Sequence, residues 1–282
     1  MEPNATAALT TPSGPVAIPR IGFGVWQVPD AAVTAAVTEA LRVGYRHLDT
    51  AALYRNESGV GRALAASDVK REEVFVTTKV WPSEFGAVET VASFDASLAR
   101  LGLDTLDLFL LHWPFPRQDR FVAAWQTLRG LRDAGRVRVI GVCNFHPGHL
   151  QRLHDETGEW PAINQIELHP YLQQREVAAF NADHGIVTES WSPLASGKRV
   201  LDDPVIGRIA SAHEASPAQV IIAWHLARGF VVLPKSVTPA RIAQNLAAAT
   251  LTLTHEDLAD IAALDQGFRT GPDPDTFHGG RN

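Results

Sequence analysis

The chain of 282 residues is 45% hydrophobic and 20% charged, enough apolar material for one sizeable core, and its net charge of −6 argues against a general binder of nucleic acid or anionic membrane, which needs a basic face. Its single cysteine, Cys143, excludes an intramolecular disulfide or multi-cysteine metal site and fits a reducing compartment. The first 15 residues carry no basic start or apolar core, and no run approaches the ~18 apolar residues of a membrane span, so a cytoplasmic protein is expected.

A hairpin is expected around Ser13-Gly14, then a short strand at 21–24. Asp30 reads as the cap of a helix with Val33, Val37, Ala40 and Leu41 on one face, ended by Gly44. Residues 45–48 form a strand and 57–66 a helix. The β-branched run at 74–80 reads as a buried strand, followed by a helix carrying Val91, Phe94, Leu98 and Leu101 and stopped by Gly102. The alternation continues with strand 106–113, helix 121–134, strand 137–142 and a helix from about 146 to 156. Strand 162–166, helix 175–184 and strand 186–190 follow. A polar loop through Ser196-Gly197-Lys198 leads to a short helix near 205–213 and a helix opened by Ser216-Pro217. Strand 230–233, a helix opened by Thr238-Pro239, and a last helix capped by Thr254 with Asp257 complete the chain.

Eight strand-helix units predict an α/β fold: a (β/α)8 TIM barrel with an N-terminal β-hairpin and extra C-terminal helices, one domain over 1–282. A doubly wound sheet would want a G-x-G-x-x-G turn after an early strand. Gly22-Phe23-Gly24 lacks the third glycine, and Gly59-Val60-Gly61 falls inside a helix.

In a barrel the working rim lies at the strand C-termini. Asp49, Lys79 and His112 end three successive strands, and Tyr54 follows Asp49 by five positions. Lys79 placed between Asp49 and Tyr54 would keep its charge through the aspartate and favour the ionised phenol, lowering the tyrosine pKa from ~10. The bland alternative is a buried Asp-Lys pair with a core hydroxyl; four polar groups converging on one rim weigh against it. Trp26, Trp81, Trp113 and Trp191 follow strands and suggest a planar-walled apolar pocket, whereas Trp125, Trp160 and Trp224 are assigned to packing. Lys235, Ser236 and Arg241 flank the start of the helix at Thr238-Pro239, where cations, a hydroxyl and free N–H groups make an anion site.

The stretches GYRHLDTAALYRNESGVGRAL, TTKVW, LDLFLLHWP, NQIELHPY, ESWSPL and LPKSVTPARIAQN resemble motifs of the aldo-keto reductase family, in order and over nearly the whole chain. The bacterial 2,5-diketo-D-gluconate reductase type is nearest, with Trp191 where many members carry Tyr. The resemblance implies NADPH-dependent reduction of small aldehydes, ketones or keto-sugars without a metal, by a monomer. It implies Tyr54 as proton donor, Lys79 and Asp49 as its tuners, and His112 as the group that orients the substrate oxygen. Trp191 would stack on the nicotinamide, with Gln165 and Asn144 at its carboxamide and Gly24, Val25 and Trp26 close by. Ser192, Leu194 and Ser196 would follow the pyrophosphate, Lys235, Ser236, Val237 and Arg241 the 2′-phosphate, and Gln244 and Asn245 the adenine. Trp26, Trp81, His112 and Trp113 would meet the substrate, in a site left shallow by the short segments after His112 and at the C-terminus. The chain departs from the family at Cys143, where Ser is usual, and at Gln244, where an acid is frequent.

Two other classes stay open on the residues: a nucleotide-binding redox sensor or interaction subunit with negligible turnover, and a metal-dependent barrel hydrolase using His112, Glu167 and His169. The second lacks an H-x-H pair after the first strand, where Gly24-Val25-Trp26 stands.

Overall fold

The computed structural model describes residues 2–197 and 199–279. Strands β1 (Thr6–Leu9) and β2 (Val16–Pro19) form the expected antiparallel hairpin. β3 (Phe23–Gly24), α1 (Asp30–Val43), β4 (His47–Asp49), α2 (Glu57–Ala65), β5 (Phe75–Val80), α3 (Ala87–Leu101), β6 (Leu106–Leu111) and α4 (Phe121–Asp133) follow. β7 (Val137–Cys143), α5 (Pro147–Thr157), β8 (Ile163–Glu167), α6 (Arg175–Asp183) and β9 (Val187–Trp191) continue the alternation. α7 (Pro204–Ala212), α8 (Pro217–Ala227), β10 (Val231–Val232), α9 (Pro239–Ala247) and α10 (His255–Ala262) complete it.

Strands β3 to β10 pair in parallel with their chain neighbours. A parallel bridge between Ile21 and Val232 joins the ends, reinforced by Gly22 N–H to Val232 O at 2.9 Å and Val232 N–H to Arg20 O at 2.8 Å. The sheet therefore closes into a (β/α)8 barrel, and the helices α7 and α10 are additions to the eight-unit repeat. At the closure the first and last strands keep two residues each rather than the four expected. The hairpin residues Leu9 and Ile18 are buried with Phe75, Leu108 and Val139 from the interior of the strands, so the hairpin plugs the end opposite the strand C-termini.

One cap differs from expectation. Pro29, not Asp30, is the α1 cap residue, and the Asp30 carboxylate instead accepts from the Gly59 N–H at 2.9 Å and pairs with Arg62 at 2.7 Å. The contact between helices outcompetes the local cap. It also explains Gly59, where a Cβ would collide with the Val33 side chain and hold α1 and α2 apart. The capping pair expected at the last helix, Thr254 with Asp257, forms; Ser216 caps α8 with Gln219, whereas Thr238 makes no side-chain cap at α9. No helix among the described residues is long and apolar enough to cross a membrane.

Candidate active site

The parallel register brings the expected groups to one rim. Asp49 pairs with Thr77 and Lys79 with Leu110, so Asp49, Lys79 and the residue after β6, His112, face each other across three adjacent strands. Tyr54 follows on the short turn of 3-10 helix Ala52–Tyr54. Asn56 fixes that turn: its amide donates to the carbonyls of Val25 and Val28 at 2.9 Å and accepts from Thr50. One buried side chain thus ties the loop carrying Trp26 to the turn carrying Tyr54.

Lys79 is fully buried. Its Nζ donates to Asp49 Oδ1 and Oδ2 at 2.7 and 2.8 Å, to the Thr50 carbonyl at 3.0 Å, and reaches Tyr54 Oη at 3.5 Å. Burial is the largest single effect and opposes the lysine charge, but Asp49, by charge and by hydrogen bond, together with Tyr54 and Cys143 outweighs it and holds Lys79 above the ordinary lysine range. Tyr54 departs from expectation. Burial of the phenol raises its pKa, and the charge of Lys79, directed chiefly at Asp49, offsets only part of that rise. The phenol is therefore held as a proton carrier rather than as a phenolate. Burial first, and the Lys79 charge second, keep His112 well below the ordinary imidazole range, so it is neutral at pH 7. Its ring lies edge-on to Tyr54 at 5.7 Å and to Trp81 at 5.1 Å.

Trp26 is half exposed and lies 4.7 Å from the Tyr54 ring, while Trp113 is buried against Phe277 at 4.6 Å. Phe277 also packs on Phe115 and Trp81, and neither phenylalanine was singled out from the sequence. The C-terminal segment reaches this aromatic cluster because it is pinned twice. Glu167 accepts from the Thr270 N–H, the Thr270 hydroxyl and the Gly271 N–H at 2.6, 2.5 and 3.0 Å. Asp275 meets His146 Nδ1 at 3.0 Å and His149 Nε2 at 3.3 Å. The acids of GPDPD and the lone Phe after them were the available signal.

The residues assigned to a cofactor fall along one edge of the same rim. Gly24 N–H bonds the Pro234 carbonyl and Val25 N–H the Asp49 carbonyl, both at 3.2 Å, so the ends of β3, β4 and β10 meet. Trp191 donates from Nε1 to Asn144 Oδ1 at 2.8 Å, and Asn144 donates to the His112 carbonyl at 3.0 Å. Gln165 Nε2 donates to Asp49 Oδ2 and Glu189 Oε2 at 2.8 and 2.7 Å. Cys143 is buried, 3.7 Å from Gln165 Oε1, and burial holds its thiol protonated. Ser192 and Ser196 hydroxyls pair at 3.0 Å beside half-buried Leu194. Lys198 of that loop lies outside the described residues. At α9, Ser236 Oγ accepts from the Thr238 N–H at 3.1 Å, Lys235, Val237, Arg241 and Gln244 are exposed, and Asn245 is buried.

Glu167 and His169 bond each other at 3.1 Å and order the loop after β8. The group of His and acidic residues with ligand-like spacing among the described residues is His146, Asp273 and Asp275, not His112, Glu167 and His169.

The Aldo/keto reductase family model matches residues 20–266. The chain is 52% identical over 261 residues to an aldo-keto reductase of Mycolicibacterium smegmatis, covering 93% of this chain and 94% of that one. It is 52% identical over 263 residues to the methylglyoxal reductase DkgA of Escherichia coli, covering 93% and 95%. Among solved structures it resembles a point mutant of Gox0644 in complex with NADPH, with a TM-score of 0.91 and 44% identity over 97% of this chain and 99% of that one. A Bombyx mori aldo-keto reductase in complex with NADP matches with a TM-score of 0.87 at 32% identity, covering 95% and 96%. A barrel closed on Asp49, Tyr54, Lys79 and His112, matched across nearly its whole length, places the chain in the aldo/keto reductase family.

Proposed function

We propose that the protein reduces small aldehydes and ketones, keto-sugars among them, to alcohols with NADPH, and that Tyr54 supplies the proton. The observation that carries this is the Tyr54 hydroxyl, protonated by burial, 3.5 Å from a lysine that Asp49 keeps charged. The residues present suit NADPH. Exposed Lys235 and Arg241 beside the start of α9 fit a 2′-phosphate, and half-buried Trp191, its indole nitrogen fixed by Asn144, offers a flat wall to a nicotinamide. When bound, NADPH supplies the hydride.

This chain's residues handle the oxygen. Neutral His112 can donate a hydrogen bond that turns the carbonyl oxygen toward Tyr54. As negative charge develops on that oxygen, Tyr54 Oη transfers its proton, because an alkoxide is a stronger base than a phenolate. The resulting phenolate lies against the Lys79 ammonium, whose own charge Asp49 maintains, so the transition state gains an ion pair absent from the ground state. This acid needs no metal. Trp26, Trp81, Trp113, Phe115 and Phe277 offer flat apolar faces around the position that suit a small dicarbonyl. The curated relatives named methylglyoxal reductase support that class.

The test is NADPH oxidation, followed at the nicotinamide absorbance, with methylglyoxal, small aldehydes and keto-sugars. Turnover with NADPH and at least tenfold weaker use of NADH is expected. Binding of NADPH without turnover of any carbonyl would reject the reductase in favour of a nucleotide-binding sensor.

A further inference from the structure

Beneath the four catalytic groups lies a second buried carboxyl that the mechanism above does not use. Glu189 is fully buried on β9, paired in register with Gln165 on β8. The Gln165 amide nitrogen has two protons, and both go to carboxyl groups, one to Asp49 Oδ2 at 2.8 Å and one to Glu189 Oε2 at 2.7 Å. A single anchor would leave the amide free to pivot about the bond to Asp49. Two fix its plane and turn Oε1 away from both acids, where the nearest donor is the weak Cys143 thiol at 3.7 Å. The carbonyl oxygen of Gln165 is thus an underused acceptor held in one direction at the edge of the tetrad.

We infer that Glu189 is a positioning residue: through Gln165 it orients the acceptor that receives the carboxamide NH2 of the nicotinamide. This rests on the cofactor reading above. The groups facing Glu189 are Asp49 and His47 on β4, Lys79 on β5, and Gln165 on β8, with Cys143 on β7 contributing a thiol. Glu189 Oε1 has no hydrogen-bond partner among the described residues, and the nearest base, His47 Nε2, is 3.7 Å away. An unpartnered buried oxygen is far costlier as an anion than as an acid. Burial and the negative charge of Asp49 push the Glu189 pKa up to about 8, against the smaller opposing effects of Gln165 and Lys79. Glu189 is therefore the neutral acid at pH 7. Its ionisation above that pH would bring a second negative charge into the field of Asp49 and Lys79.

Two variants separate the roles. Glu189→Leu removes the anchor, whereas Glu189→Gln keeps an oxygen that can accept from Gln165 and cannot ionise. Glu189→Leu should weaken NADPH binding about tenfold, read by quenching of tryptophan fluorescence, as expected for one lost hydrogen bond. It should leave the affinity for adenosine 2′,5′-bisphosphate, a probe of the phosphate end alone, within about twofold of wild type. Wild type should show an alkaline limb of kcat/KM near pH 8, and Glu189→Gln should bind NADPH within about twofold of wild type and lose that limb. Wild-type affinity for NADPH in Glu189→Leu overturns the inference, as does equal weakening of both probes. If Glu189→Leu does not fold, the Glu189→Gln pH profile decides: an unchanged alkaline limb overturns it. A wild-type protein that itself fails to bind NADPH would instead overturn the cofactor reading.

Discussion

Replacing Lys79 by Met removes the cation proposed to stabilise the Tyr54 phenolate and leaves Asp49 stranded. The ammonium lies 2.7 Å from Asp49 Oδ1, a separation worth roughly 6 kcal/mol of Coulomb attraction at an effective dielectric of about 20, before the desolvation of both groups is subtracted. Removing one partner of such a buried pair costs about 3–5 kcal/mol, because the other stays buried without its counter-charge. Among the described residues, only the Gln165 amide still donates to the Asp49 carboxylate. For a chain of this size the melting temperature of Lys79→Met should fall by roughly 6–20 °C. The double variant Lys79→Met with Asp49→Asn removes both charges and should recover most of that loss, since the cost belongs to the orphaned carboxylate. Neither variant should reduce carbonyls, because the Tyr54 phenolate has lost its cation. Circular-dichroism melts at pH ~7.5 with NADPH oxidation on the same samples make the comparison. A single variant melting within about 2 °C of wild type, or a double variant no more stable than the single one, would refute the reasoning.

Other outcomes follow from the same structure. Arg241→Ala should raise the KM for NADPH about tenfold and leave that for NADH unchanged if, as proposed, Arg241 meets the 2′-phosphate; equal effects on both would remove Arg241 from the clamp. Phe277→Ala should raise the KM for methylglyoxal several-fold with little change in KM for NADPH, because Phe277 packs on Trp81 and Trp113 rather than beside Trp191. Acid should destabilise the fold in a defined window. His47 is lowered to about 4 by burial, and burial also holds His112 and His225 well below the ordinary imidazole range. A histidine depressed in the folded state contributes stability fully above its unfolded pKa of about 6.5 and loses it as pH falls toward the folded value. Melting temperature should therefore decline between about pH 6.5 and 4, where three depressed imidazoles outweigh the opposite effect of the one raised carboxyl, Glu189, and should also fall as pH rises from about 6.5 toward 8, where Glu189 acts alone; a flat acid limb would contradict the neutral buried imidazoles.

The barrel was legible because β-branched runs and amphipathic helices alternate at nearly constant spacing, and because Asp49, Lys79 and His112 recur at one repeat each. Contacts set by tertiary packing were not. Asp30 looks like a cap from its neighbours, yet the approach of α2 recruits it to Gly59 and Arg62. Tyr54 was expected to acidify beside Lys79, but burial of the phenol, invisible in sequence, outweighs a charge already shared with Asp49. Glu189 sits in ESWSPL as an ordinary strand residue, and only the barrel interior reveals its bond to Gln165. The C-terminal segment is short and rich in Gly and Pro, and its attachment through Glu167, His146 and His149 is set by tertiary packing that no local pattern encodes.

The most direct measurement of the central claim is Tyr54→Phe, which deletes one oxygen and leaves the ring packed against Trp26 and His112. Single-turnover reduction of a small carbonyl by enzyme-bound NADPH should slow by about 10²–10⁴-fold, while the NADPH dissociation constant from fluorescence quenching stays within about twofold of wild type. A variant that binds NADPH normally and reduces the carbonyl at the wild-type rate would show that the proton comes from elsewhere.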